Sequence, residues 1–183
     1  QEFKTTFAAR SLMSYLNKFE IETSYGIKAW KRWGNTAEQI IKSNPYVLCI
    51  QGVDLSFSRA DAVAAKSDIP ADSECRIKAG ITYILRQNAD QGHTCLPLDS
   101  LVKTAVSYLD VDEKLIKKVI EDETEEENLY YYDKHGRRFV MLADFYKAED
   151  YIARRLAIMR QISYDNKIDF SEVIDLEEEN NGI

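Results

Sequence analysis

The sequence predicts a mainly α protein, a helix-hairpin-helix helical domain followed by a winged-helix domain with a small β-hairpin wing. Three observations carry that expectation. Only seven glycines and three prolines punctuate 183 residues, so long stretches can stay helical. Apolar residues recur at helical spacing through most of the chain. The period changes once, in "NLYYYDKHGRRFVML" (Asn128–Leu142), where two β-rich runs flank a turn containing Gly136.

Each element follows in order. Phe7, Leu12, Leu16 and Phe19 form the apolar face of a first helix from Phe7 to Phe19. A second helix runs through Ile27, Trp30 and Trp33 and stops at Gly34. Thr36 and Gln39 have the spacing of a capping box for a third helix. Pro45 ends it, because proline disfavours helical geometry in the residue before it. "VDLSFSRADAVAAK" (Val53–Lys66) sets an apolar hairpin before a helix from Ser58 to Lys66. Ile77, Ile81, Ile84 and Leu85 then drive a long helix that Gly92 closes.

"HTCLP" has room for a strand fragment only, and Pro97 suits the first position of the next helix, carried by Leu98, Leu101, Val102, Ala105 and Leu109. After a three-residue break, Leu115, Ile116, Val119 and Ile120 carry another. Helix, turn, helix and hairpin is the order of a winged helix. The last helix, Ala143 to Ile162, aligns Phe145, Ala148, Ile152, Leu156 and Met159. The expected divisions are residues 1–70, a helical domain; 71–163, the winged-helix domain with its C-terminal helix; and 164–183, an acidic linker.

Composition narrows the function. With 45% hydrophobic and 30% charged residues this is an ordinary globular chain, and no apolar run approaches the roughly 20 residues of a membrane span. Cys49, Cys75 and Cys95 include no C-x-x-C pair, which points to a reducing, cytoplasmic setting; Cys95 and His93 are the only zinc-like neighbours. The chain opens at Gln1 without a leader and reads as a piece of a longer protein. Residues 1–50 hold seven Lys/Arg against four Asp/Glu, a balance of +3, leaving −10 for the remainder of a chain whose net charge is −7. Much of that lies in "EDETEEE" (Glu121–Glu127), a run with the composition of a solvated face. Any nucleic-acid contact must therefore be local. No phosphate loop, nucleophile elbow or zinc-protease motif is present, so no catalytic residue and no cofactor site is expected here.

Binding hardware remains. A helix-hairpin-helix holds a sugar–phosphate backbone through main-chain N–H groups at its hairpin and second helix, which assigns candidate roles to Asp54, Leu55, Ser56, Ser58 and Arg59. Glycine is favoured in such turns, and Asp54-Leu55-Ser56 replaces the expected glycine–apolar–glycine. The competing reading is a helical corner packed through Leu55, Phe57, Ala60 and Val63. The wing tip offers Lys134, His135, Arg137 and Arg138, although a solvated turn has the same composition. Lys28, Lys31 and Arg32 beside Trp30 and Trp33 form the most basic aromatic patch, unless the tryptophans are core. In the helix before the hairpin, Lys114, Lys117 and Lys118 share space with Asp112, Glu113, Glu121 and Asp122, so it has no clean basic face.

These segments resemble the region before the motor of RecD-like (RecD/TraA family) ATP-dependent DNA helicases. "KSNPYVLC" is similar to the family's Asn-Pro-Tyr-x-Leu, and Phe57, Ala60, Asp61, Val63 and Ala64 to its Phe-x-x-Ala-Asp-x-[IV]-Ala. Arg76, Ile77, Ala79 and Gly80, then Gly92, His93, Thr94, Leu96 and Pro97, resemble its Arg-Ile-x-Ala-Gly and Gly-His-Thr-x-Leu-Pro. "YKAEDYIARRL" is similar to its aromatic-x-x-Glu-x-x-[IV]-Ala helix. The resemblance implies a parent protein that uses ATP and Mg²⁺ to unwind DNA 5′ to 3′, in DNA repair or recombination. This chain would then be the accessory region that holds single-stranded or junction DNA beside the motor domains. The alternative is a structural module that docks the motor or a partner without touching DNA.

Overall fold

A computed structural model describes residues 2–161. The elements are α1 (Glu2–Asn17), α2 (Thr23–Trp33), α3 (Ala37–Ser43), α4 (Phe57–Ala65), α5 (Glu74–Asp90), β1 (Cys95–Pro97), α6 (Leu98–Leu109), α7 (Glu113–Glu125), β2 (Leu129–Lys134), β3 (Arg137–Leu142) and α8 (Ala143–Gln161). Short 3-10 turns occupy Gly34–Thr36 and Pro45–Cys49. The described residues up to Tyr146 form one compact unit, and those from Lys147 onward belong to a second. Residue 70 lies inside the first unit, and the acidic segment 164–183 lies outside the described residues.

In the helical half, Leu12 and Leu16 of α1 are buried with Ala29 of α2 and Ile41 of α3. Phe7 shares their spacing but is 71% exposed, and Phe19 lies in the turn after α1, where Glu20 takes a positive φ. The capping box at Thr36 does not form. An N-cap residue needs extended backbone, whereas Thr36 is already helical at the end of a 3-10 turn, and its hydroxyl donates to Trp33 O at 2.8 Å. Pro45 does end α3, and the Asn44 side chain then accepts from Tyr46 N–H at 3.0 Å to start the next 3-10 turn. α4 buries Phe57, Ala60, Val63 and Ala64 against Leu48 and Tyr46.

In the second half α5 runs beside α6, with Gly80 facing Leu109. Pro97 closes β1 instead of opening α6: its ψ of 133° is extended and it pairs with Phe139. Asp110 in the left-handed region ends α6, and Asp112 caps α7 by accepting from Lys114 N–H at 2.8 Å. The acidic run at the end of α7 is not wholly solvated: Glu123 is buried and holds Lys78 of α5 at 2.8 Å, and Lys78 also pairs with Glu74 at 2.8 Å. The three strands are antiparallel in the order β1-β3-β2. Among the described residues no helix is long and apolar enough to cross a membrane. Within α8, Ile152, Leu156 and Met159 are all exposed.

Candidate nucleic-acid interface

The hairpin before α4 makes its bend with Gly52 at φ 95° and Asp54 at φ 63°. Aspartate tolerates that left-handed conformation better than most residues, so the turn survives without a glycine at position 54. Its backbone groups turn inward. Val53 and Asp54 N–H both donate to Ile50 O (3.2 and 3.0 Å), and Leu55 N–H to Leu48 O (2.9 Å). The Asp54 carboxylate accepts from Gly52 N–H at 3.0 Å and faces Lys28 at 3.6 Å. Leu55 is buried, while Ser56 and Ser58 are exposed, their hydroxyls 3.4 Å apart at the start of α4.

Two of the basic residues nearby, Lys28 and Arg59, are already engaged. Lys28 donates to Val53 O at 3.1 Å, which brings the α2 patch and the hairpin together. Arg59 donates to Glu20 O at 2.6 Å and pairs with Glu22 at 3.5 Å, tying α4 to the α1–α2 turn. Lys28 and Arg59 both lie against the Tyr25 ring. Arg32 lies over Trp33, both tryptophans are partly buried against the core, and Lys31 is exposed. In the first helical half Lys28 and Arg59 are thus engaged, whereas no ion pair holds Lys31 or Arg32 among the described residues.

Sequence patterning alone missed the polar centre beneath this surface. Asp61 in α4 accepts from Tyr46 Oη at 2.5 Å and from Arg76 Nε and Nη2 at 2.7 and 3.2 Å. Arg76 Nη1 donates to Ala71 O and Leu109 O, both at 2.8 Å, so one guanidinium joins α4, α5 and the end of α6. Burial and the hydrogen bond to Asp61 push the Tyr46 hydroxyl well above the usual tyrosine range. Tyr46, Phe57, Tyr83 and Tyr108 form a run of neighbouring rings beside it, with centroids 5.5–5.7 Å apart. A cleft of about 950 Å³ opens between the hairpin and α5, lined in part by Asp54, Phe57, Glu74, Lys78, Tyr83 and Arg86. Its charges are mixed, and Lys78 and Arg86 are both ion-paired. The signal that could have exposed this centre is a charged residue, Asp61, set beside buried Ala60 and Ala64.

The wing differs. His135 and Gly136 take φ 51° and 71°, the pair of positive values that a two-residue hairpin turn needs. Arg138 is held: it donates to Asp133 at 3.0 and 3.1 Å and covers the Tyr131 ring at 4.8 Å. That pairing lowers the Asp133 pKa and raises that of Arg138. Lys134, His135 and Arg137 are exposed, and among the described residues none has an ion pair. Among the described residues no hydrogen bond or ring contact links this hairpin to the Lys28–Asp54 cluster.

Residues 5–95, from α1 to the first residue of β1, match the family model described as the HHH domain of ATP-dependent RecD2 DNA helicases. The chain carries a RecD2-type helix-hairpin-helix domain. The match supports a RecD-like helicase N-terminal accessory region, so the chain includes a helicase accessory domain. Within this RecD2-type domain, Phe57, Ala60 and Val63 are buried core, and Asp61 and Arg76 face each other.

Proposed function

We propose that this accessory region positions DNA for a helicase motor, with the wing as its point of contact and the hairpin as a brace. The observation that carries the proposal is that no ion pair engages Lys134 or Arg137 among the described residues, whereas the N–H groups of the hairpin before α4 turn inward. Residues 74–142 have the helix–strand–helix–helix–hairpin order and the β1-β3-β2 sheet expected of a winged helix, which supports a nucleic-acid role for the tip. ATP and Mg²⁺ belong to the motor in this reading. The 183 residues contain no phosphate loop. The setting would be DNA repair or recombination in the cytoplasm.

Fluorescence anisotropy of the full 183-residue chain with single-stranded and junction DNA tests the proposal. Binding should fall steeply with salt, and the Lys134→Ala/Arg137→Ala pair should reduce the slope of log K against log salt by about 1.5. No signal at high micromolar protein would sink it. The inward hairpin and the acidic balance favour a second reading, docking of the motor or a partner without DNA. That reading requires the motor's ATPase activity or stability to rise when the chain is added without DNA.

A further inference from the structure

We propose that the outer face of the β2–β3 hairpin is a stacking surface for unpaired nucleic-acid bases. This deepens the wing reading above by naming the form of nucleic acid it takes. Register pairs Tyr130 with Met141, Tyr132 with Phe139 and Lys134 with Arg137. Paired residues share a face, and so do alternate residues along a strand. The opposite face carries Leu129, Val140 and Leu142, all buried in the core. Tyr130, Tyr132 and Phe139 therefore look outward together. Tyr146, in the first turn of α8, extends the row by stacking on Tyr130, with centroids 4.1 Å apart and ring planes within 4°.

The open part of the face lies toward the turn. Met141 is 4% exposed, whereas Tyr132 is 48% exposed with Phe139 beside it, their centroids 6.5 Å apart. Lys134 and Arg137 close that end, and no ion pair or side-chain hydrogen bond engages either among the described residues. Exposed rings flanked by free cations suit a single strand, whose bases present planar faces while its phosphates meet the charges. A duplex buries those base faces in its own stack. The alternation in "NLYYYD" puts Tyr131 on the inner side with Arg138, so only two of the three consecutive tyrosines take part.

The test uses the full chain, a 15-nucleotide dT strand, a 15-base-pair duplex and a single strand carrying 2-aminopurine. Tyr132→Leu keeps an apolar strand residue and removes the ring. It should weaken dT binding roughly tenfold, abolish 2-aminopurine quenching, and leave duplex affinity and the salt slope unchanged. Tyr132→Phe should bind within about twofold of the parent, because stacking needs the ring and not its hydroxyl. Equal losses in the two variants would overturn the proposal. So would unchanged dT binding by Tyr132→Leu; if Lys134→Ala/Arg137→Ala still weakened both DNAs, the cationic contact would stand without stacking. No DNA binding by the parent chain would overturn both, and the face would fall to a protein partner.

Discussion

A carboxylate halfway along α4, that of Asp61, accepts hydrogen bonds from Tyr46 and from two nitrogens of Arg76. Burial alone would push its pKa up, but the hydrogen bonds from Arg76 and Tyr46 outweigh that and hold it below the ordinary 3.8. A carboxylate with a depressed folded pKa contributes stability above its unfolded pKa, and loses it as pH falls through the folded value. Asp61→Asn should therefore cost about 2 kcal/mol at neutral pH, the scale of a charge-assisted hydrogen bond. The gap from the parent should begin to shrink as pH falls below 3.8 and close below the lower folded value. Urea titrations at pH 7 and pH 3 measure it, and a gap of equal size at both would show that the charge is not responsible. Sequence reading found Asp61 and Arg76 as parts of separate motifs. Their pairing was hidden because 15 residues and a loop separate them, and helical periodicity says nothing about which loops fold back.

Two helical glycines show how neighbouring side chains decide what a position tolerates. A Cβ built on Gly80 of α5 would meet Leu109 Cδ2, Cδ1 and Cγ at 2.6, 2.8 and 3.1 Å, and Leu109 is buried. One on Gly26 of α2, also buried, would meet Met13 Sδ and Cε at 2.5 and 3.1 Å, the far end of a flexible and only partly buried side chain, and Leu16 Cδ1 at 3.2 Å. Alanine improves a helix interior by about 1 kcal/mol over glycine where neighbours can give way, but overpacking against side chains that cannot move costs about 1–3 kcal/mol. Gly80→Ala should thus lower the melting temperature and Gly26→Ala should leave it equal or raised. Thermal melts followed by circular dichroism decide the matter, and a stabilised Gly80→Ala would mean that Leu109 yields. Element types were legible throughout, because helical and strand periods are local. Element ends were less so: Thr36 lost its cap to a 3-10 turn that propensity does not signal.

Across the whole molecule, the ring run from Tyr46 to Tyr108 and the Asp61–Arg76 pair cross the position where a boundary near residue 70 was expected. Such contacts couple the unfolding of the two sides. Tryptophan fluorescence, which reports Trp30 and Trp33 of α2, and near-ultraviolet tyrosine dichroism should therefore give the same urea midpoint. Two separated midpoints would show that residues 1–70 fold on their own. The match to a RecD2-type domain over residues 5–95 crosses the same position.

The order and type of the elements, the hairpin turn at His135–Gly136 and the helicase resemblance were all determined by the sequence alone. Each depends on residues close together in the chain, whose spacing and backbone preferences are local properties. Which charges stay available was decided only in three dimensions. Arg59, Arg138 and Lys78 meet partners, while among the described residues no ion pair engages Lys134 or Arg137 near Tyr132. Ion pairing depends on where remote segments come to rest, and neither composition nor periodicity encodes that distance.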